Sequence, residues 1–175
     1  MFRVRLTLHE RFGKLPLEEV MAPAIRYAEE GYPVTPNISR LWQEAFENYS
    51  KYRDRPEFQG WFDTFAPNNT WLKPGEMFRC PDMAKTLKEI AATKGEAFYR
   101  GAIAEKIDAF FKKHNGFLTK EDLAAFKSEW VDPISVNYHG VDVWELPPNG
   151  HGITVLMALQ ILKDMNLAER DCADT

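Results

Sequence analysis

The sequence predicts a mainly α fold of the α+β class, with about seven helices and one β-hairpin. Apolar residues recur at helical spacing along most of the 175 residues, and two alternating runs flank His139-Gly140. The hydrophobic fraction of 45% supplies enough apolar side chains to form a core. We therefore expect a single helical domain over residues 1–175.

The central run, residues 74–126, begins with the clearest helix. Pro81 suits a first helical position because its missing N–H would have no partner there. Gly95 is expected to end this helix, since glycine adopts the left-handed closing conformation without steric cost. The predicted inward face consists of Met83, Leu87, Ile90 and Ala91.

Two more helices are predicted in the same run. The first ends at Asn115-Gly116, and the second begins after Thr119, which stands three residues before Asp122 in an approximate capping box. No helix of the run can bury its apolar face alone, so these faces pack together or against another segment. They are predicted to comprise Phe98, Ile103, Ile107, Phe110 and Phe111, then Leu123, Ala124 and Phe126.

Three helices are predicted ahead of this run, at residues 3–13, 17–30 and 35–52. Pro23 lies inside the second helix, where proline removes a backbone hydrogen bond, so we expect a kink or a new start there. Thr35-Pro36 is a cap followed by proline and opens the third helix. The inward positions are predicted to be Val20, Ala24, Ile25 and Ala28, then Leu41, Trp42, Ala45, Phe46 and Tyr49.

Residues 53–76 show no clean periodicity and contain several prolines and glycines. We expect an irregular surface segment that aromatic side chains anchor. A ligand groove with polar and aromatic walls is the alternative, because long irregular loops in compact domains are often functional. The anchors are predicted to be Trp61, Phe62, Phe65 and Trp71.

Residues 134–138 and 141–146 alternate around His139-Gly140, a pattern that predicts a β-hairpin. The second run carries bulky groups on both faces, which favours burial on both. Residues 147–152 then form a turn, and residues 153–166 are predicted to be a helix. The turn either lets this helix pack sharply on the hairpin or binds an anion at the helix start. The helix carries Val155, Leu156, Leu159, Ile161 and Leu162.

The composition narrows the function classes. A formal net charge of −4, with both signs interspersed, argues against nucleic acid as the main partner. The sequence has no run of about 18 apolar residues, so no membrane span is predicted. The charged N-terminal stretch does not resemble a secretory signal, which leaves the compartment unknown: cytosolic, or periplasmic or extracellular if a leader is missing.

The sequence gives no sign of a metal site or a cofactor. Cys80 and Cys172 lie far apart; a disulfide is one alternative, and two unpaired thiols are expected. These two cysteines and the four scattered histidines show no metal-ligand spacing, so neither a metal nor a cofactor is predicted. Glycosylation-type triplets begin at Asn37, Asn48 and Asn68 and carry no functional weight without a signal peptide.

Several blocks of the sequence occur in a recognisable order and register. They are HERFG (9–13), APAIRYAEEG (22–31), PGE (74–76), PDMAKTL (81–87), AFYRGAIA (97–104), LTKEDLA (118–124), PP (147–148) and LMALQIL (156–162). Together they resemble the γ-glutamyltransferases, also called γ-glutamyltranspeptidases or glutathione hydrolases. Any single block is weak, whereas their shared order and spacing over nearly the whole chain is specific. The resemblance implies a fragment of a longer precursor, namely the helical part of the large subunit of an N-terminal nucleophile hydrolase.

The resemblance also implies an activity. Family precursors cut themselves into two subunits, and the new N-terminal threonine of the small subunit attacks the γ-glutamyl amide of glutathione or a similar donor. The acyl group then passes to water or to an amino acid. The expected partner is therefore the small-subunit portion of the same precursor, with γ-glutamyl small molecules as ligands of the full enzyme. A homodimer of the fragment is an alternative assembly.

No residue of this chain matches the positions that act in that family. The resemblance places the threonine nucleophile after Thr175 and the arginine that holds the donor carboxylate before Met1. We therefore predict no catalytic, substrate-binding or metal residue here, and a chain that is inactive alone. The internal threonines without a family match are Thr7, Thr35, Thr64 and Thr119.

The turn at residues 147–152 departs from the Pro-Pro-Pro-Ser-Ser-Gly-Gly of many members and is similar to the acylase-like branch. The resemblance to this branch therefore leaves other γ-glutamyl or acyl amides as alternative donors to glutathione. His151 as a general base is an alternative that lacks a partner in the sequence. A non-enzymatic helical binding or assembly module is the competing hypothesis.

An exposed patch near Val155, Leu159 and Leu162 is expected to cause association.

Overall fold

The computed structural model describes residues 2–165. Backbone contacts divide the chain into two compact units, Met1–Ser128 (unit 1) and Glu129–Thr175 (unit 2). The single domain over residues 1–175 stays a prediction. The mainly α architecture with one β-hairpin is confirmed. Among residues 2–165, no helix combines the length and apolar character needed to cross a membrane.

Unit 1 is almost entirely helical. Its two short strands, β1 (Tyr32–Pro33) and β2 (Met77–Phe78), pair antiparallel, with Tyr32 opposite Phe78. This pair was not predicted, because two residues carry no strand periodicity. The helices are α1 (Phe2–Phe12), α2 (Leu17–Glu30), α3 (Pro36–Ser50), a 3-10 turn (Pro56–Phe58), α4 (Gln59–Phe65), α5 (Pro81–Ala92), α6 (Glu96–Tyr99), α7 (Ala102–Lys113) and α8 (Lys120–Ala125).

The core of unit 1 forms where α2 packs against α5. Ile90 is 1% exposed and lies with Ala97 and Ile103 at the centre of the core. Met21 packs against this cluster from α2. Burying an isoleucine of this kind is worth about 1.5–3 kcal/mol relative to leaving it in water, so this cluster is a main source of stability in the unit.

The predicted inward faces of α2 and α5 are partly wrong. Val20 is 51% exposed and Met83 is 50% exposed, while Met21 is half-buried and Ala84 is fully buried. In both helices the residue after the predicted one is the more buried. Each helix is therefore rotated about its axis relative to the prediction, because a broad apolar stripe does not specify which of its residues faces the core. Ala24, also predicted to be inward, is exposed. α2 itself runs without interruption through Pro23.

The end of α5 is closed by two successive residues in the left-handed region. Lys94 has φ of 48° and Gly95 has φ of 83°. The Lys94 N–H donates to the Ala91 carbonyl at 3.2 Å, and the Gly95 N–H donates to the Ile90 carbonyl at 2.8 Å. Gly95 therefore closes α5 as expected, although the last helical residue is Ala92.

The prediction of one continuous helix from Phe98 to Phe111 is wrong, because the helix is interrupted between α6 and α7. Gly101 is the N-cap of α7, and a Cβ there would lie 2.8 Å from the Ala97 Cα. Only glycine fits this close approach of one turn to the next. The apolar stripe continues across the break, which is why the sequence alone suggests one helix.

Residues 53–76 are less irregular than predicted, since they contain the 3-10 turn and α4. The aromatic anchors are confirmed: Phe62 is buried, and the Trp61 ring contacts the Tyr49 ring with centroids 4.9 Å apart. Trp61, Phe62 and Phe65 share one helical face, and this short period was obscured by Pro56 and Gly60. The segment is also held by the Ser39 hydroxyl, which donates to the Leu72 carbonyl at 2.7 Å.

Two sets of polar contacts fix the start of α8, and the sequence predicted only the first of them. The capping box is confirmed: Thr119 accepts from the Asp122 N–H, and the Asp122 carboxylate accepts from the Thr119 N–H at 2.9 Å. Asp108, nearly buried, accepts from Lys112 Nζ at 2.7 Å and from the Lys120 N–H at 3.3 Å. The Lys112 ammonium is the main cause that lowers the pKa of Asp108, and the Lys120 N–H adds to it.

Unit 2 contains the hairpin and one helix. The strands are β3 (Ile134–Tyr138) and β4 (Val141–Glu145), with Val136 opposite Val143, and the helix is α9 (Gly152–Leu162). The tight turn is confirmed: His139 and Gly140 have φ of 49° and 86°, as a type I′ turn requires. α9 packs on both strands and buries Leu156.

Burial of β4 on both faces is wrong for the described residues of unit 2. Trp144 is 60% exposed, and Val141 is exposed as well. One helix covers only one side of a two-stranded sheet, so the other side has no cover among residues 129–165. α9 ends at Leu162, before the predicted end at Asn166, which lies outside the described residues.

Candidate functional site

The connection from β4 to α9 is the most constrained part of unit 2. The Glu145 side chain lies against the first residue of α9, where a Cβ on Gly152 would come within 2.8 Å of the Glu145 carboxyl carbon and 2.9 Å of its Cβ. A carboxylate beside a helix N-terminus is favourable because the helix dipole is positive there. The Glu145 carboxylate thus lies at the start of α9, where the sequence analysis suggested an anion-binding site.

His151 immediately precedes α9, and its backbone does the structural work. Its carbonyl accepts the Thr154 N–H at 2.9 Å and begins the helix. The side chain is exposed, and within residues 2–165 its imidazole has no hydrogen-bond partner. A general base needs a substrate proton or a nucleophile within reach, so His151 as a general base stays a hypothesis.

The internal threonines are committed to local structure. Thr35 and Thr119 cap α3 and α8. The Thr64 hydroxyl donates to the Gly60 carbonyl at 2.8 Å, and the Thr7 hydroxyl donates to the Arg3 carbonyl at 3.0 Å. None of these four hydroxyls lies beside an α-amine that could serve as its base, because each threonine is inside the chain.

The described residues, 2–165, show no metal cluster. Thr175 and Cys172 lie beyond residue 165, whereas Cys80 is a free, half-buried thiol. Within residues 2–165, no group of three His, Cys, Asp or Glu side chains is arranged to hold a metal ion. The prediction that this chain carries no catalytic or substrate-binding residue stays a prediction.

Two shallow cavities flank α1 in unit 1, with volumes of about 520 and 510 Å³, and share Leu6, Glu10 and Lys94 as lining residues. The second contains an ion pair in which Arg3 donates to Glu96 at 2.9 Å. Hydrogen bonds from Arg3, then from Arg100, lower the pKa of Glu96. The three charged groups therefore pair with one another at this cavity.

α9 presents an apolar face that is exposed among the described residues of unit 2. Met157 is 60% exposed and Ile161 is 64% exposed, and Ile153 precedes them at the same helical spacing. These three residues, which recur every four positions, are called the outer face of α9 below. The predicted patch near Val155, Leu159 and Leu162 is partly wrong: Val155 is exposed, whereas Leu159 and Leu162 are half-buried.

Comparison with known proteins gives this architecture a family. The family model described as Gamma-glutamyltranspeptidase matches residues 3–175. The chain belongs to the gamma-glutamyltranspeptidase family. The glutathione hydrolase proenzyme of Pseudomonas aeruginosa is 34% identical over 87% of this chain. This chain covers only 26% of that relative, so it spans about a quarter of its length.

Solved structures agree with the family and with its acylase-like branch. The crystal structure of cephalosporin acylase from Bacillus halodurans superimposes with a TM-score of 0.90 at 49% identity, covering 93% of this chain and 30% of that one. Gamma-glutamyltranspeptidase from Helicobacter pylori superimposes with a TM-score of 0.83 at 27% identity, covering 97% of this chain and 48% of that one. These gamma-glutamyltranspeptidase and acylase structures share the fold described above.

The contact between Glu145 and Gly152 was missed by sequence reasoning. The two residues are separated by a turn with two prolines, and no periodicity links a strand end to the first residue of the next helix. The only available signal was the second glycine of the turn. The structure shows that Gly152 is there for close approach of a side chain rather than for an unusual φ.

We expect Gly152→Ala to destabilise the chain by about 1–3 kcal/mol, because the added methyl group overlaps the Glu145 side chain. Gly150→Ala is the matched control in the same turn, since a Cβ at Gly150 would meet nothing within 4 Å. Urea unfolding, followed by circular dichroism at a fixed protein concentration, measures both variants. An equal loss of stability in the two variants would contradict the contact.

Proposed function

We propose that this chain is part of an enzyme that transfers a γ-glutamyl or related acyl group from an amide donor to water or to an amino acid. The observation that supports this most strongly is the family match over residues 3–175. The similarity to glutathione hydrolase proenzymes and to a cephalosporin acylase supports acyl transfer from an amide as the reaction class.

In this proposal the chain is a scaffold and the reacting hydroxyl lies on another segment of the precursor. An N-terminal threonine hydroxyl attacks the donor carbonyl, its α-amine takes the proton, and the amine of the donor leaves with a proton to give an ester. Water or an amino acid then attacks the ester and releases the threonine. The threonines described above, all engaged in caps and local hydrogen bonds, support a nucleophile outside this chain.

The donor is proposed to be an acyl amide beyond glutathione alone. Identity to the Bacillus halodurans cephalosporin acylase is 49%, against 27% for the Helicobacter pylori gamma-glutamyltranspeptidase. The turn at residues 147–152 also departs from the serine-containing version of many family members. Both observations favour N-acylated amines, including acylated β-lactams, as donors to test beside γ-glutamyl compounds.

The outer face of α9 is proposed to be covered by the small-subunit portion of the same precursor. A helix that is apolar on all sides is typical of one buried on all sides, whereas among the described residues of unit 2 the outer face is exposed. In the absence of that portion, two copies of this chain are proposed to cover each other as a homodimer. The expected driving force is about 25 cal/mol per Å² of apolar surface removed from water.

A segment exchange tests the scaffold role. When this chain replaces the matching segment of the Bacillus halodurans cephalosporin acylase, we expect the chimera to release a chromogenic amine from an acyl anilide within about tenfold of the parent rate, because the fold matches and the nucleophile belongs to the host. The purified chain alone is expected to show no turnover of acyl or γ-glutamyl anilides.

The chimera also needs a control for folding. A second chimera with Ile90→Asp places an unpaired charge in the core of unit 1 and should lose activity through misfolding. Turnover by the isolated chain that survives further purification would contradict the scaffold role. A chimera that folds and matures but shows no turnover would favour the competing hypothesis of a non-enzymatic assembly module.

Association of the isolated chain tests the outer face of α9. We expect the unmodified chain to be dimeric or larger by light scattering, because Met157 and Ile161 are exposed. Replacing both with lysine should shift it to a monomer, since two charges make burial of that face unfavourable. Val20→Lys in unit 1 is the control and should leave the mass unchanged. A monomeric unmodified chain would count against the proposal.

A further inference from the structure

The two Asn-Gly steps of the chain lie in different surroundings. Asn115-Gly116 follows α7, whereas Asn149-Gly150 lies between β4 and α9. Asparagine is a thermolabile residue, and before glycine the next backbone nitrogen has no Cβ beside it to hinder attack on the side-chain carbonyl. We propose that Asn149 is a site of spontaneous deamidation and that the fold protects Asn115 from the same reaction.

At Asn115 the attacking nitrogen is already engaged. The Gly116 N–H donates to the Phe111 carbonyl at 2.7 Å, a short hydrogen bond that must break before the nitrogen can react. Asn115 itself has φ of 55°. A Cβ on Gly116 would lie 3.2 Å from atoms of the Phe111 ring, so the backbone is packed against that side chain and has little room to rotate.

At Asn149 the surroundings are open. Asn149 and Gly150 are both exposed, and a Cβ on Gly150 would meet nothing within 4 Å. Pro148 and Asn149 form a turn that the Gly150 N–H closes, but this contact is weaker than the short Gly116 hydrogen bond, and within residues 2–165 the Asn149 side chain makes no hydrogen bond. The nitrogen and the side-chain carbonyl carbon can therefore approach each other by rotation of a solvent-exposed turn, with the loss of one weak turn contact and of no side-chain packing.

The chemical step is balanced by water alone. The Gly150 nitrogen forms a bond to the Asn149 side-chain carbonyl carbon, gives its proton to solvent, and ammonia leaves after taking up a proton. Water then opens the five-membered imide at one of its two carbonyls. The products are aspartate or isoaspartate at position 149, and the net reaction consumes one water and releases one ammonia.

The product changes the connection between β4 and α9. It adds one negative charge to a chain whose formal net charge is −4. That charge lies close in sequence to the start of α9, beside which Glu145 already stands, and a helix N-terminus tolerates negative charge. Isoaspartate also adds one atom to the backbone of the turn. The modified chain is thus expected to stay folded and to separate by ion exchange.

Peptide mapping by mass spectrometry tests the proposal on the folded chain. The chain is incubated at mildly alkaline pH, with circular dichroism confirming the helices, and digested at intervals. Aspartate and isoaspartate are expected to accumulate at least about tenfold faster at position 149 than at position 115, the factor to which about 1.4 kcal/mol corresponds. In denaturant the two sites should react at similar rates.

Gly150→Ala supplies the matched variant. The methyl group shields the attacking nitrogen, and the open space around Gly150 lets the turn accept it, so deamidation at Asn149 should slow by about tenfold with Asn115 unaffected. Equal rates at the two sites in the folded chain would overturn the proposal. An unchanged rate at Asn149 in Gly150→Ala would also overturn it, because the reaction would then not pass through that nitrogen.

Discussion

α9 is strongly apolar, and the described residues of this chain leave one of its stripes exposed. Leu156 is buried, while Ile153, Met157 and Ile161 are exposed along that stripe. Covering such a stripe in water gains free energy, and we propose that the small-subunit portion of the same precursor covers it. This chain spans 26% of a glutathione hydrolase proenzyme and 30% of a cephalosporin acylase, so most of each of those proteins lies outside the matched segment.

Several polar side chains of unit 1 also have structural roles. Its hydroxyls and carboxylates are used to begin helices and to connect them: Thr119 with Asp122 opens α8, and Asp108 joins α7 to α8. Polar groups of this kind are satisfied by hydrogen bonds within the fold and have a structural role. We propose that the reactive hydroxyl lies elsewhere in the precursor and that this chain is its scaffold.

The sequence was most informative where structure depends on local rules. The hairpin at His139-Gly140, the capping box at Thr119 and the proline start of α5 follow from neighbouring residues and were predicted correctly. The break at Gly101 was not, because the apolar stripe continues across it and only the close approach to Ala97 reveals the need for glycine.

Contacts between distant residues were beyond the sequence for a different reason. The rotation that buries Ala84 instead of Met83 depends on how α2 and α5 pack, which a single helical pattern does not specify. The pairing of Glu145 with Gly152 depends on the path of the turn between them. A reaction centre outside this chain is predicted only through the family resemblance, since composition and spacing alone do not say where a nucleophile lies.

The most direct measurement locates the reactive hydroxyl. The chimera of this chain with the Bacillus halodurans cephalosporin acylase is treated with an electrophilic acyl-amide analogue that leaves a covalent adduct, then digested and mapped by mass spectrometry. The adduct is predicted on a host residue outside the 175 residues supplied by this chain. An adduct on a threonine or serine within those residues would contradict the scaffold role.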